Sequence, residues 1–403
     1  MLTLKLAIRG LWRHKVRTII TLAAVMFGQL LFLIFLTMND GGHEQMIEIG
    51  IRQGRTGHVV VQAKGYQASQ SVELLVTGAK DIRKRIEKEN DEVEVALRVF
   101  GGGLARTSAD AVGVFFSGVE PSRERKVSDL PGQMVEGVYL GAGPEEVVRA
   151  EKKPKSLWCA LPPEKGATSH VQPVVVGVQL AKTLKLGLCD KLVLDAQGMG
   201  SQESQQFRVV GVFKTGSVEL DGSYVQILLD DAQGILHLGR GVHQVAVFGD
   251  SARETPSILS GVKASMPDRP GLVVLPWEDV IPEMAEFVWL DEVSAYVFIL
   301  IVLVIIGTGV LNTVLMSVME RTREFGVMRA VGTPPSKIFW VVLVEGAFIG
   351  FLGVIVGTLV ALPIVHYFET TGIDFSQWSD GSAMEMGGVA MTVLKGKLYP
   401  MRA

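Results

Sequence analysis

The residues able to do chemistry are few and scattered. Of seven histidines in 403 residues, His237 and His243 stand six apart with no carboxylate pair beside them. That suits packed or solvated imidazoles and not a metal centre. Asp230-Asp231 suits the first turn of a helix, where the backbone dipole favours negative charge, better than acid–base catalysis. The sequence holds no G-x-x-x-x-G-K-[ST] phosphate loop, no H-E-x-x-H, no C-x-x-C and no G-x-S-x-G elbow. No catalytic residue, metal ligand or directly bound cofactor is therefore assigned, and the chain does not read as an enzyme acting alone. Cys159 and Cys189 can bridge in an oxidising compartment or stand as two separate thiols. Two cysteines exclude a disulfide-dense scaffold and a four-cysteine zinc module.

The densest charge pattern is Met319 to Pro335, MERTREFGVMRAVGTPP. Acids and bases alternate so that Glu320 can meet Arg323, and Arg321 can meet Glu324, three residues on along a helix. Gly332 can end that helix ahead of the prolines. Such a segment can be a solvated connector. It can also be a stiff lever that fits a cleft of a partner and passes motion to the elements on either side.

Those elements are apolar. Hydrophobic residues make up 48% and charged residues 20% of the chain, which suits membrane spans joined to a large water-soluble part and excludes intrinsic disorder. Thr18 to Met38 and Ala295 to Val318 carry no charge, and Ile338 to Val365 carries one acid, Glu345. Each reaches the roughly 20 residues that cross about 30 Å of hydrocarbon as a helix. The first run is too long for a cleaved signal and lacks a small-residue cleavage site at Met38 to Gly42, so it reads as an anchor. Lys5, Arg9, Arg13, Lys15 and Arg17 precede it without an acid, and Arg321, Arg323, Arg329 and Lys337 lie between the other two runs. The positive-inside rule places both stretches in the cytoplasm. Residues 1–17, with Leu4, Ile8, Leu11 and Trp12 at helical spacing, predict a basic amphipathic helix along the inner surface. The net charge of −3 leaves no basic footprint for nucleic acid.

The expected order is thus 1–17 inside, 18–38 across, 39–292 outside, 295–318 across, 319–337 as the inner loop, 338–365 across and 366–403 outside. Within 39–292 short strands are predicted at His58–Gln62, Val93–Val99, Val112–Val119, Val171–Val176, Lys191–Asp195, Phe207–Phe213, Gln244–Phe248 and Gly271–Leu275, with helices at Ala79–Asn90 and Gln179–Leu186. Gly101-Gly102-Gly103, Pro131-Gly132 and Gly141–Pro144 mark loops, and Lys152–Gly166 reads as an exposed loop. The fold class is three membrane helices plus a large α+β extracytoplasmic domain inserted between the first two. On the third span Gly346, Gly350, Gly353 and Gly357 predict close helix approach. Glu345 is expected to face the bundle or the inner interface in a hydrogen-bonded role, because an acid facing lipid is costly.

The inner loop resembles the E-R-x-x-E-x-G-x-x-R-A-x-G signature of FtsX-like ABC-transporter permeases. The opening AIRGLWRHKVRT at Ala7 to Thr18, the stretch VVVGVQLAK at Val174 to Lys182 with Leu186 to Asp190, and FRVVGVFKTG at Phe207 to Gly216 with Asp221 are similar to the family as well. Position 189, Cys here, more often holds glycine. TGHVVVQ after the first span most resembles the lipoprotein-releasing branch. The resemblance covers nearly the whole chain and implies a multi-pass protein of the bacterial inner membrane, with its N-terminus cytoplasmic and its large domain periplasmic. It implies a second permease subunit, identical or different, and a cytoplasmic ABC ATPase dimer that binds the ATP. It assigns Glu320, Arg321, Glu324, Gly326, Arg329, Ala330 and Gly332 to ATPase coupling. Motion would expel a lipoprotein or other periplasmic client without passing it through a pore. Relatives also lead one to expect two subdomains outside, with roughly 105–200 as an insertion, and a fourth span that these residues lack; a truncated reading frame is the expectation. Alternatives are an exporter of drug, toxin or peptide with a periplasmic adaptor, a scaffold controlling a cell-wall hydrolase, and an anchored binding protein with no ATPase.

Overall fold

The computed structural model describes residues 15–90, 92–143, 146, 159, 172–266, 269–375, 384–386 and 389–399. They fall into two compact units, one reaching to Gln45 and including Val288–Asp374 and the stretch from Val393, the other Met46–Phe287 with Phe375–Thr392. Residues 1–14 of the amphipathic helix expected over 1–17 lie outside the described residues, and the first long helix begins at Lys15. The loop expected at Lys152–Gly166 lies outside them too, Cys159 apart.

The first unit is helical. It draws on α1 (Lys15–Gly50), α2 (Pro282–Glu320), α3 (Thr322–Ala330) and α4 (Pro335–Thr370). The three long helices are long and apolar enough to cross a membrane. Each outruns its apolar run, since polarity alone does not end a helix: α1 continues past Met38 to Gly50, and α2 starts ahead of Ala295. Proline opens both α2 and α4, where its fixed φ suits a first helical position and its missing N–H is not needed.

Small residues set the helix contacts. A Cβ on Gly353 would lie 2.6 Å from Val25, and one on Gly357 would lie 2.8 Å from Gln29, so α1 crosses α4 with its backbone close. Below this crossing Leu33, Ala361 and Val365 pack together. Gly346 instead faces α2, at 3.2 Å from Val314 for an added Cβ. Gly350 is a correction to the expected four-glycine stripe. No described atom lies within 4 Å of a Cβ placed there, because it falls between the stretch of α4 met by α2 and the stretch crossed by α1. Polar bonds reinforce the bundle: Thr21 Oγ1 donates to Thr313 Oγ1 at 3.1 Å, and Gln29 Nε2 to Thr358 Oγ1 at 3.5 Å. Toward the Gly50 end of α1, Asp291 accepts from Asn39 at 2.9 Å and lies 2.6 Å from His43 Nε2. The stretch Lys395–Leu398 ties α1 to α4: Lys397 N–H donates to Thr37 O at 2.9 Å, and Gly396 N–H to Phe368 O at 3.1 Å.

The second unit is built on a mixed sheet. Its strands are β1 (Val59–Ala63), β2 (Glu94–Arg106), β3 (Ala111–Val119), β4 (Met134–Gly137), β5 (Pro173–Gly177), β6 (Lys191–Gln197), β7 (Gln202–Phe213), β8 (Tyr224–Leu228), β9 (Gln244–Phe248) and β10 (Leu272–Pro276). β10, β1 and β9 lead to the first half of β2, and β4 pairs with β7. The pairings β2–β3, β3–β8, β8–β5, β5–β7, β7–β6 and β6–β2 close a ring. The stretch 105–200, expected as an insertion, supplies β3, β4, β5 and β6 to this same sheet.

β1 is buried at every position because it has a partner on each edge, which gives the continuous apolar run of a central strand. Helix Ala79–Glu89 lays Ala79, Ile82 and Ile86 against the sheet, one face of a helical repeat. A second core holds Val119, Leu130, Tyr139, Phe213 and Tyr224. Gly101-Gly102-Gly103 corrects the expectation of a loop, for all three lie within β2. A Cβ on Gly101 would strike the Phe116 ring, and one on Gly103 the Asp195 carbonyl. Glycine here admits close neighbours and does not signal a turn.

Candidate functional site

The loop 319–337 places its charges on two sides. Arg321 N–H bonds back to Ser317 O, and α3 starts at the next residue. The Arg321 guanidinium turns into the bundle: Nη1 donates to Glu345 Oε2 at 2.9 Å and Nε to Glu324 Oε2 at 3.2 Å. Its Cζ lies 5.4 Å from the centre of the Phe325 ring, within cation–π range. Phe325 is the buried residue of α3. Beside these groups is a cavity of about 30 Å³ lined by Thr18, Thr21, Thr313, Ser317, Arg321 and Glu345, among others.

The remaining loop residues face outward. Glu320, Arg323, Gly326, Arg329, Ala330 and Gly332 are exposed, as are Val327 and Val331. No described atom lies within 4 Å of a Cβ placed on Gly326. Gly332 takes φ 93°, a left-handed value suited to glycine. Its N–H donates to Arg329 O at 3.0 Å, and Thr333 N–H donates to Met328 O at 3.0 Å, so the last carbonyls of α3 are satisfied as the chain turns toward α4. The predicted coupling residues therefore form an anchor (Arg321 and Glu324, with Phe325) and an outward face. In the sequence alone these residues form a single run with nothing to divide them. Glu345 has Lys337 as its nearest cation in sequence, yet its partner is Arg321, 24 residues away along the chain.

The other residues singled out have structural surroundings. Cys159 and Cys189 are bonded, with Cα atoms 5.7 Å apart, beside Val210 and Tyr139 in the second core. Cys189 has φ 65°, a left-handed value that favours glycine. Asp221 caps its loop: Oδ1 accepts from Thr215 N–H at 2.7 Å and from its hydroxyl at 2.9 Å, and Oδ2 accepts from Gly216 N–H at 3.1 Å. Asp230 and Asp231 lie in the first turn of helix Leu229–Ile235. His237 Nε2 is 3.0 Å from Glu203. Nδ1 of the buried His243 accepts from Phe100 N–H at 2.9 Å, and its Nε2 lies 3.2 Å from Val72 O. Burial pushes the His243 imidazole below its usual range, outweighing the pull of its backbone bonds. Among the described residues no group of three or more His, Cys, Asp and Glu could hold a metal ion.

Residues 296–394 match the FtsX-like permease C-terminal family. The chain is 21% identical over 366 residues to the lipoprotein-releasing system transmembrane protein LolC of Neisseria meningitidis serogroup B, covering 87% of this chain and 79% of that protein. It is 22% identical over 388 residues to the macrolide export ATP-binding/permease protein MacB of Wolinella succinogenes, covering 92% of this chain and 54% of that one. Among solved structures, the periplasmic region of MacB from Actinobacillus actinomycetemcomitans aligns at TM-score 0.37 and 12% identity, over 59% of this chain and 95% of that one. The chain carries an FtsX-like permease domain and is a relative of the ABC-transporter permeases.

Proposed function

We propose that the chain is the membrane subunit of an ABC-type machine that releases lipid-modified proteins from the outer face of the bacterial inner membrane. The observation that carries this reading is the division of the inner loop. A short helix is anchored to the bundle through Arg321 and Phe325 and offers Arg323, Val327, Arg329 and Val331 outward. An apolar patch rimmed by cations suits a cleft in an acidic partner, here a cytoplasmic ABC ATPase dimer that binds and hydrolyses the ATP. The N-terminus and inner loop are cytoplasmic, the β-rich unit is periplasmic, and a second permease subunit, identical or different, completes the complex. ATP-driven closure of the ATPase moves α3 and with it the spans, and the periplasmic unit displaces the client. Similarity to LolC over most of the chain favours lipoprotein release. Similarity to the macrolide exporter MacB over nearly the whole chain favours a second reading, export of a small molecule or peptide with a periplasmic adaptor.

Co-purification of the full chain from its native operon tests the proposal. The expected result is an ATPase bound to the chain and ATP-dependent release of a lipid-modified protein from reconstituted vesicles. Loss of a small hydrophobic compound from the vesicles, with the lipid-modified protein retained, would turn the assignment to the second reading.

A further inference from the structure

Glu345 is the one acid in the apolar run 338–365. It lies ten residues into α4, about 15 Å along the helix at 1.5 Å per residue. Its side chain is 12% exposed and that of Arg321 opposite is 14% exposed, with 2.9 Å between Nη1 and Oε2. The covalent route from α3 to α4 is weak by comparison. It runs through Gly332 at φ 93° and on to Pro334, and a glycine in a short turn can absorb a large change of dihedral angle. A push on α3 taken up at Gly332 would not reach α4. The ion pair bypasses that turn, since it joins the root of α3 directly to the side of α4. It is also enclosed enough that water competes poorly for either partner.

We propose that Arg321 and Glu345 form a positioning link that makes α3 and α4 move as one body. The link rests on the functional reading above, because it needs a partner that displaces α3. Both are positioning residues and neither is assigned contact with ATP.

The test uses the full chain with its co-purified ATPase in lipid nanodiscs. Spin labels at Thr322→Cys and Leu359→Cys, both exposed positions, report the distance between α3 and α4 with and without ATP and vanadate. The expected result is one narrow distance, unchanged by nucleotide, in the otherwise unmodified chain, and a broadened, nucleotide-dependent distribution in Glu345→Gln. Permease-dependent ATP hydrolysis is expected to fall roughly tenfold, the scale of a coupling between sites, in Glu345→Gln and in Arg321→Gln. The double variant should lose no more than either single one, and Glu345→Asp should keep most of the rate. Unaltered distances in Glu345→Gln, or losses that multiply in the double variant, would overturn the link. Should Arg321→Gln fail to insert, the comparison of Glu345→Gln with Glu345→Asp decides, equal losses counting against the link. A wild-type chain that brings down no ATPase overturns the functional reading beneath it. A wild-type complex that assembles with variants that behave like it overturns the link alone.

Discussion

Arg98 and Glu124 meet deep inside the β-rich unit, Nη2 2.7 Å from Oε1, with side chains 0% and 1% exposed. Arg98 Nε also donates to Glu124 Oε2 at 3.2 Å, and Nη1 donates to Thr56 O at 2.5 Å. Removing one member leaves the other charged and out of water. Arg98→Met or Glu124→Leu alone should destabilise the unit by about 3–5 kcal/mol. Arg98→Met/Glu124→Leu together should recover much of that loss. Chemical unfolding of the detergent-solubilised chain, followed by tyrosine fluorescence, checks both.

His243 gives the β-rich unit an acid sensitivity. Its Nδ1 accepts a backbone N–H, so the folded state needs a neutral ring. Burial lowers its folded pKa, so below about pH 6.5, the reference value for free His, the unfolded chain takes up a proton that the folded chain refuses. Stability therefore falls as pH drops from that value toward the folded pKa, by at most about 1.4 kcal/mol per pH unit. His243→Gln should flatten that part of the stability–pH curve. The curve, measured for both proteins between neutral and mildly acid pH, tests this.

Charge reversal on the inner loop should separate hydrolysis from release. Glu324→Lys puts a cation beside Arg321, and Arg329→Glu inverts the outward face. Each should lower client release per ATP hydrolysed by roughly tenfold while the protein still inserts. Release and phosphate production assayed on the same vesicles give the ratio, and normal ratios in both variants would remove the lever assignment.

The glycines of α4 should divide. Gly353→Leu and Gly357→Leu push α1 away from α4 and should each cost about 1–3 kcal/mol of packing. Gly350→Ala, facing open space in the described bundle, should be neutral or mildly stabilising. Thermal unfolding in detergent ranks the three.

Long apolar helices, strands and the short loop helix were legible in the sequence because each rests on local pattern: apolar length for α1, α2 and α4, alternation or short apolar runs for the strands, charge spacing for α3. Long-range contacts were not. Gly101 to Gly103 read as a break because nothing local announces that Phe116 and the Asp195 carbonyl crowd that strand. Arg321 read as a partner-facing cation because Glu345 is far along the chain, brought near only when α2 and α4 pack side by side. Position 189 carried a usable hint. The family resemblance leads one to expect glycine there, and Cys189 takes a left-handed φ of the kind glycine favours.

Strand β2 belongs to two neighbourhoods. Its first residues, Glu94 to Arg98, pair with β9, and its last, Gly103 to Arg106, pair with β6 in the closed ring. The three glycines lie between or at the edge of these registers. A load that has crossed the β9 ladder into Glu94–Arg98 can then travel along the covalent backbone of β2 into the ring. All three glycines stay paired with β3 throughout, so the β3 ladder spans the change of neighbour from β9 to β6.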